Sequence, residues 1–376
     1  MEHPLHYNFK DVMAAPARAL AAKQIGVMTL FLCGALIKFD FFFYLAYWIQ
    51  GEDLATAFSV WGLLPFTGNI FGNIVSQIVY YGGIVAALLV VMFGFFAVAA
   101  INIEAVRGNH FFGMWGAIKF ALSRWKQLLL SELSIALFVA FIVLLFFLLG
   151  LASRIPIVGE WIFTVLFVIP NFVIALFSVF ILFVFILTVL LLPAVAAAER
   201  NGETFNVILE TFSTIIRQPF RWAGFTLYAV VAAKVCSFIY AYFAYRAVQF
   251  LVWTSSLGGG DNLEKLVRSG LSHLPVRSQI VNETLRLFPG LKFGVTLPSS
   301  GYFVSQSAAG HVMAFMLFLI FASILGYLLA VVAAGQARGY VVIRCLKDGH
   351  KISEEQPLFF KDEHVNPKVE GEDACA

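Results

Sequence analysis

Long apolar runs alternate with short, basic, amphipathic stretches along this chain. A membrane-crossing helix needs about 20 mostly apolar residues. Six runs reach that length, at 26–49, 79–103, 127–150, 171–198, 222–246 and 311–335. Each predicts a helix long enough to span a bilayer. Two shorter apolar pieces, Trp61–Phe66 and Trp161–Ile169, precede the second and fourth runs. Pro170 and Asn171 interrupt the latter, so it reads as an interfacial or re-entrant piece. Their aromatic residues suit the headgroup region.

The polar stretches between the runs repeat. Glu104, Arg107, Gly108, Phe112 and Arg124 precede one pair of runs, and Glu199, Gly202, Phe205 and Arg217 precede the next. The aromatic-to-arginine spacing is twelve residues in both, Phe112 to Arg124 and Phe205 to Arg217. A weaker copy opens the chain at Phe9, Arg18 and Lys23. The expected fold is all-α: a single polytopic membrane domain over 1–376, with six transmembrane helices as three parallel-topology hairpin repeats. The repeats cover 9–103, 104–198 and 199–345, the last with an outer loop at 247–310, and a flexible cytoplasmic tail follows at 346–376. Parallel repeats differ from the inverted halves of many secondary transporters.

Lysine and arginine set the expected orientation. With the N-terminus cytoplasmic, sixteen cations fall inside: Lys10, Arg18, Lys23, Arg107, Lys119, Arg124, Lys126, Arg200, Arg217, Arg221, Arg338, Arg344, Lys347, Lys351, Lys361 and Lys368. Seven fall outside: Arg154, Arg246, Lys265, Arg268, Arg277, Arg286 and Lys292. Most of the seven sit in or beside the one long loop, which the positive-inside rule discounts. Both termini are therefore expected on the cytoplasmic side.

Composition sharpens this picture. The chain is 61% hydrophobic and 12% charged, against about 45–50% and about 25% in soluble domains. Lipid is the solvent such a chain requires. A net charge of +3 is too small to suggest a nucleic-acid partner. The cysteines at 33, 236, 345 and 375 are scattered and imply no disulfide framework. The histidines lack ligand spacing, so no metal or other cofactor is expected.

Two residue sets are candidates for chemistry. Lys38, Asp40, Glu132 and Lys234 are ionisable residues inside apolar runs. Such groups are costly in a bilayer, by about 2.5–3.5 kcal/mol on insertion scales, and normally turn inward and pair. They imply a polar pathway or, more blandly, a structural ion pair; the expectation is that Lys38 and Lys234 point into the bundle or a wet cavity, with Glu132 or Asp40 among their neighbours. Arg107, Lys119, Arg124, Lys126, Arg217 and Arg221 lie on or beside the amphipathic stretches and are candidate contacts for anionic lipid headgroups. Lodging these stretches in the interface as amphipathic helices competes with a role as extensions of the spans.

In the outer loop, Leu263, Leu266, Val267, Leu271 and Leu274 recur at near-helical spacing after Gly258–Gly260, and a second amphipathic piece covers Ile280–Leu287. They suggest a surface cap or a docking surface. No nucleophile–base pair or metal cluster marks an enzyme. The expected function is a non-catalytic integral membrane scaffold or accessory subunit of a larger envelope complex, with protein partners. The alternative is a channel or transporter for a lipid or small solute, built on the intramembrane charges.

The apolar run that ends in alanine and glutamate, followed by glycine, a basic amphipathic helix and a new span, resembles the YciC-like inner-membrane proteins. It also resembles the membrane region beside glycerophosphodiester phosphodiesterase domains. The matching stretches are Ala197–Arg221 and Ala100–Lys126. The resemblance implies this architecture and a bacterial inner-membrane location. The phosphodiesterase catalytic domain is absent, so no catalytic residue carries over.

Overall fold

The computed structural model describes residues 5–63, 65, 71–152, 154–155, 159, 161, 164–165, 172–259, 262–273 and 308–358. Among them the regular elements are helices: α1 (Phe9–Met13), α2 (Ala15–Ala19), α3 (Ala22–Gln50), α4 (Leu54–Trp61), α5 (Ile74–Val106), α6 (Met114–Ser123), α7 (Trp125–Ala152), α8 (Phe172–Ala198), α9 (Thr204–Arg217), α10 (Pro219–Gly259), α11 (Asn262–His273) and α12 (Ala308–Asp348). The fold is all-α, as expected. Helices α3, α5, α7, α10 and α12 are each long and apolar enough to cross a membrane. A sixth span is reached if the two halves of α8, Phe172–Val184 and Leu187–Ala198, count as one despite a 42° bend. Two features disturb α8, one beyond the bend, in the second half, and one at it. Pro193 removes a backbone donor inside α8, and the Thr188 hydroxyl donates back to Val184 O at 2.8 Å.

Several boundaries differ from expectation. α10 continues to Gly259, well into the segment assigned to the outer loop from 247. Its extension is still apolar, with Phe250, Leu251, Trp253 and Leu257 exposed, so no turn chemistry stops it before Gly258. α12 runs to Asp348, past the expected start of the tail. α11 occupies the leucine-spaced stretch of the loop. The Ile280–Leu287 piece, most of Trp161–Ile169 and the tail beyond 358 lie outside the described residues. Cys33 and Cys236 are free thiols, while Cys345 is disulfide-bonded, which the scattered cysteines did not imply.

By contact density the chain divides into two compact units. One comprises Ala15–Val98 and Tyr228–Val332. Here α3 buries a single stripe, Met28, Leu32, Ala35, Phe39, Phe43 and Ala46, at the three- and four-residue steps of one helix face. Glycines let neighbouring helices approach it. A Cβ at Gly83 of α5 would sit 2.4 Å from Phe42 Cβ, and one at Gly326 of α12 would sit 2.3 Å from Thr29 Oγ1 and 3.1 Å from Thr29 N. Gly326 belongs to a four-residue ladder of small side chains, with Ala322 and Ala330 also buried. On α10, Ala229, Ala233, Ser237 and Ala241 are buried at the same four-residue steps, and Ala241 packs with Ile324 of α12. In lipid, where apolar burial offers no driving force, such close contact is what holds helices together.

The same unit carries an aromatic cluster of Phe39, Phe43, Tyr47, Phe71 and Tyr80, against which Trp61 of α4 packs. The Tyr44 hydroxyl donates to Gly62 O just after α4. Asp53 caps α4, accepting from Thr56 N at 3.0 Å and from the Thr56 hydroxyl at 2.8 Å.

Candidate functional site

The other unit comprises Met1–Ala14, Ala99–Leu227 and Ala333–Ala376, and it holds most of the chain's basic residues outside the apolar runs. Three long helices end in it. Unbroken stretches near the ends of α5 (Ala99–Glu104), α8 (Leu191–Ala198) and α12 (Ala333–Ile343) are buried residue after residue.

 α5 and α12 then close on glycines in the left-handed region, Gly108 (φ 91°) and Gly349 (φ 67°), and a third, Gly202 (φ 71°), lies in the link between α8 and α9. The last carbonyls of a helix have no partner within it and carry the negative end of its dipole. Arginines meet the last carbonyl of α8 and those of the two residues after it. Arg107 Nη2 donates to Ala198 O at 2.8 Å, Arg124 Nη1 to Glu199 O at 2.6 Å and Arg124 Nη2 to Arg200 O at 2.8 Å.

Arg107 is the centre of a buried ion network. It is 4% exposed and Glu104 is 1% exposed. Arg107 Nη1 donates to Glu104 Oε1 at 3.1 Å, while its Nε and Nη2 reach Glu355 Oε2 at 3.0 and 2.5 Å. Glu355 Oε1 lies 2.7 Å from His350 Nε2. The amide of Leu358 donates to both oxygens of Glu104, each at 3.2 Å, and Arg200 Nη2 donates to Gln356 O at 2.6 Å. The stretch after α12 is thus packed down through Leu358, and Ile352 within it is fully buried. This portion falls within the stretch expected to be a flexible tail, 346–376.

Burial alone would push the Glu355 carboxyl up, but hydrogen bonds from His350 and Arg107, with the charges of Arg107 and Arg344, hold it below its ordinary value. A carboxylate depressed in the folded state adds stability above its unfolded pKa, about 4.3, and that stability is lost as pH falls through the folded value. Residues 350–358 are therefore expected to become protease-sensitive below about pH 4. Equal cleavage of this segment at pH 7 and pH 3.5 would show that the Glu355 charge does not hold it.

A second ion group lies on α9. Lys347 Nζ is 2.7 Å from Glu210 Oε1 and 3.1 Å from Asp348 Oδ2, and the exposed Arg217 reaches Asp348 at 3.6 Å. α9 has three faces. Val207, Thr211, Thr214 and Ile215 are buried; Glu210, Ser213 and Arg217 are polar; Phe205, Leu209 and Ile216 are exposed and apolar. Below the apolar face runs a groove of about 530 Å³, bounded by Ile135 and Phe138 of α7, Phe180 and Val184 of α8, and Leu209 and Phe212 of α9. Its wall is almost wholly hydrocarbon; the Ser134 hydroxyl on it is spent on Leu130 O of its own helix.

The six candidate lipid-facing cations separate into two groups. Arg107 and Arg124 are turned to helix ends and carboxylates rather than outward, because orphan carbonyls at the end of α8 need donors. Lys119, Lys126, Arg217 and Arg221 are exposed. Lys119 lies on the outer face of α6 beside Trp115 and Leu122, which are 72% and 55% exposed, and Phe111 just before α6 is 99% exposed. Lys126 lies 5.8 Å from the Trp125 ring. Arg221 Nη1 donates to Gln218 Oε1 at 3.1 Å, next to Phe220 at 91% exposure.

The intramembrane candidates differ in burial. Lys38 and Lys234 are exposed on α3 and α10, and Asp40 is half-buried. Each lysine adjoins a buried stripe, next to Phe39 and Ala233, and one helical step of about 100° carries it off that stripe. Glu132 belongs to the other unit; its Oε1 is buried without a hydrogen-bond partner. Sequence reasoning passed over Glu355, His350, Glu210 and Lys347. For Glu355, His350 and Lys347 the signal was position, since charged residues at and just beyond the end of α12 are placed to meet other helices. No protein-family model, curated protein or solved structure matches the chain.

Proposed function

We propose that the chain is a non-catalytic integral membrane scaffold, or an accessory subunit, of a larger assembly in the bacterial inner membrane. In this reading it has six spans, both termini are cytoplasmic, and three parallel hairpin repeats build it. The observation that carries the reading is the division of labour among its cations. Arg107 and Arg124 are consumed in tying helix ends together, while α6 and α9 turn aromatic and aliphatic side chains outward beside exposed Lys119, Lys126, Arg217 and Arg221. Such a face suits an amphipathic helix lying in the headgroup layer of an anionic membrane. The hydrocarbon groove under α9 is of a size for acyl chains to enter, at the low end of the roughly 300–1,000 Å³ of ligand pockets.

The repeat reading draws support from equivalent contacts. Arg124 ends the α6 unit and meets the end of α8; Arg217 ends α9 and meets Asp348 at the end of α12. The sixteen-to-seven cation bias supports the orientation. The resemblance to YciC-like proteins agrees with the location.

The rival reading, a channel or transporter for a lipid or small solute, is favoured by one observation, the unpartnered buried oxygen of Glu132. Purification from native membranes after mild cross-linking separates the two. The scaffold reading expects a stoichiometric protein partner, identified by mass spectrometry and lost when Trp115 and Lys119 are both replaced by Ala. A lone chain that conducts solute in liposomes, with flux abolished by Glu132→Gln, would sink it.

A further inference from the structure

We propose that residues 350–358 form a detachable clasp, which opens as a unit while the helix ends beneath it stay folded. The clasp begins at Gly349, whose positive φ turns the chain sharply off α12. Among the described residues, separate points hold it. Ile352 is buried, the Ser353 hydroxyl lies 2.5 Å from the Tyr7 hydroxyl, Glu355 meets Arg107, Gln356 O accepts from Arg200, and Leu358 N donates to Glu104.

Charge balance is what permits release. Arg107 is shared between Glu104 and Glu355. If Glu355 leaves, Arg107 and Glu104 remain a matched pair, and Arg107 keeps its bond to Ala198 O. Glu355 passes into water, where its charge is readily solvated. Opening therefore strands no buried charge, which is the usual reason that breaking a buried ion pair is so unfavourable. The remaining polar clasp groups are equally replaceable by water: a backbone amide, a backbone carbonyl and a surface hydroxyl; Ile352 is the apolar anchor that opening would expose. Ser353, Glu354 and Gln356 are already exposed. By contrast, the helix ends below are small, packed side chains whose neighbours do not include the clasp alone: Ala198 is bonded through Arg107 to α5, and Arg124 secures the two residues after it. The inference stands whether the chain is a scaffold or a transporter.

Hydrogen–deuterium exchange on the full chain, in detergent, tests it. Glu355→Gln keeps the shape of the side chain and removes the charge. In that variant, exchange across 350–358 should rise at least tenfold, with protection of 95–106 and 191–198 unchanged. Ile352→Ala is a second variant that leaves every charge in place, and it should give the same pattern. Unchanged exchange in 350–358 in both variants would overturn the proposal, because the segment would not be held as described. Loss of protection spreading into 95–106 and 191–198 would also overturn it, because the segment would then be an inseparable part of the fold.

Discussion

Replacing Arg107 by Met should destabilise the protein by about 3–5 kcal/mol, the range for removing one partner of a buried ion pair. The arginine side chain is fully buried, and it is the cation shared by two carboxylates. Without it, Glu104 and Glu355 face each other with no cation between them, and Ala198 O loses its donor. Methionine is similar in length, so the loss reports charge and hydrogen bonds more than volume. The double variant Arg107→Met with Glu355→Gln should recover part of the loss, since one of the stranded carboxylates is gone. Thermal unfolding in detergent measures both. An Arg107→Met protein as stable as the parent would mean that the network is not an internal tie.

Phe43→Ala should cost about 3–5 kcal/mol, as truncations of buried phenylalanine do. Phe43 is fully buried. Its ring centroid lies 5.1 Å from that of Tyr47, 5.4 Å from Tyr44, 5.7 Å from Phe71, 6.1 Å from Tyr80 and 6.3 Å from Trp61. Most of these pairs are edge-on or tilted, arrangements worth about 0.5–1.5 kcal/mol each beyond burial. In lipid the transfer part of the cost shrinks, because an exposed ring there meets hydrocarbon. The cavity and the lost ring contacts remain, which places the expected value toward 3 kcal/mol. Phe43→Leu should lose less. The fluorescence of Trp61 should shift in Phe43→Ala if α4 loosens, and a parent-like spectrum and melting point together would reject the cluster as a packing centre.

The spans were legible because a run of about 20 apolar residues has few other uses. Their ends were less so. α10 outran its expected boundary because Phe250, Leu251, Trp253 and Leu257 are apolar in a place where the sequence offers no breaker until Gly258. The facing of Lys38 and Lys234 was illegible for a different reason. A helix apolar on all sides has no periodic signal to mark its packed face; small residues at four-residue steps, such as Ala229, Ala233 and Ser237, carried that information instead. Arg107 and Arg124 show a third limit. Charge counting finds cations near a membrane surface, but it does not reveal the carbonyls and carboxylates that distant segments bring to them. Glu355 lies 248 positions from Arg107, and no local pattern connects the two.

The lengths of α10 and α12 bear on geometry outside the chain itself. Each has 41 residues, about 60 Å at 1.5 Å per residue. The hydrocarbon layer is about 30 Å thick, and even a tilt of about 40°, the steep end of the observed range, accommodates only about 39 Å of a straight helix. Something on the order of 20 Å of each rod must stand clear of the oily layer. In a helix that crosses a bilayer, such excess length is a spacer. Whatever sits on its end is held at a set height from the bilayer, and shortening a rod by two turns, about 11 Å, would lower that height without altering any surface that touches it.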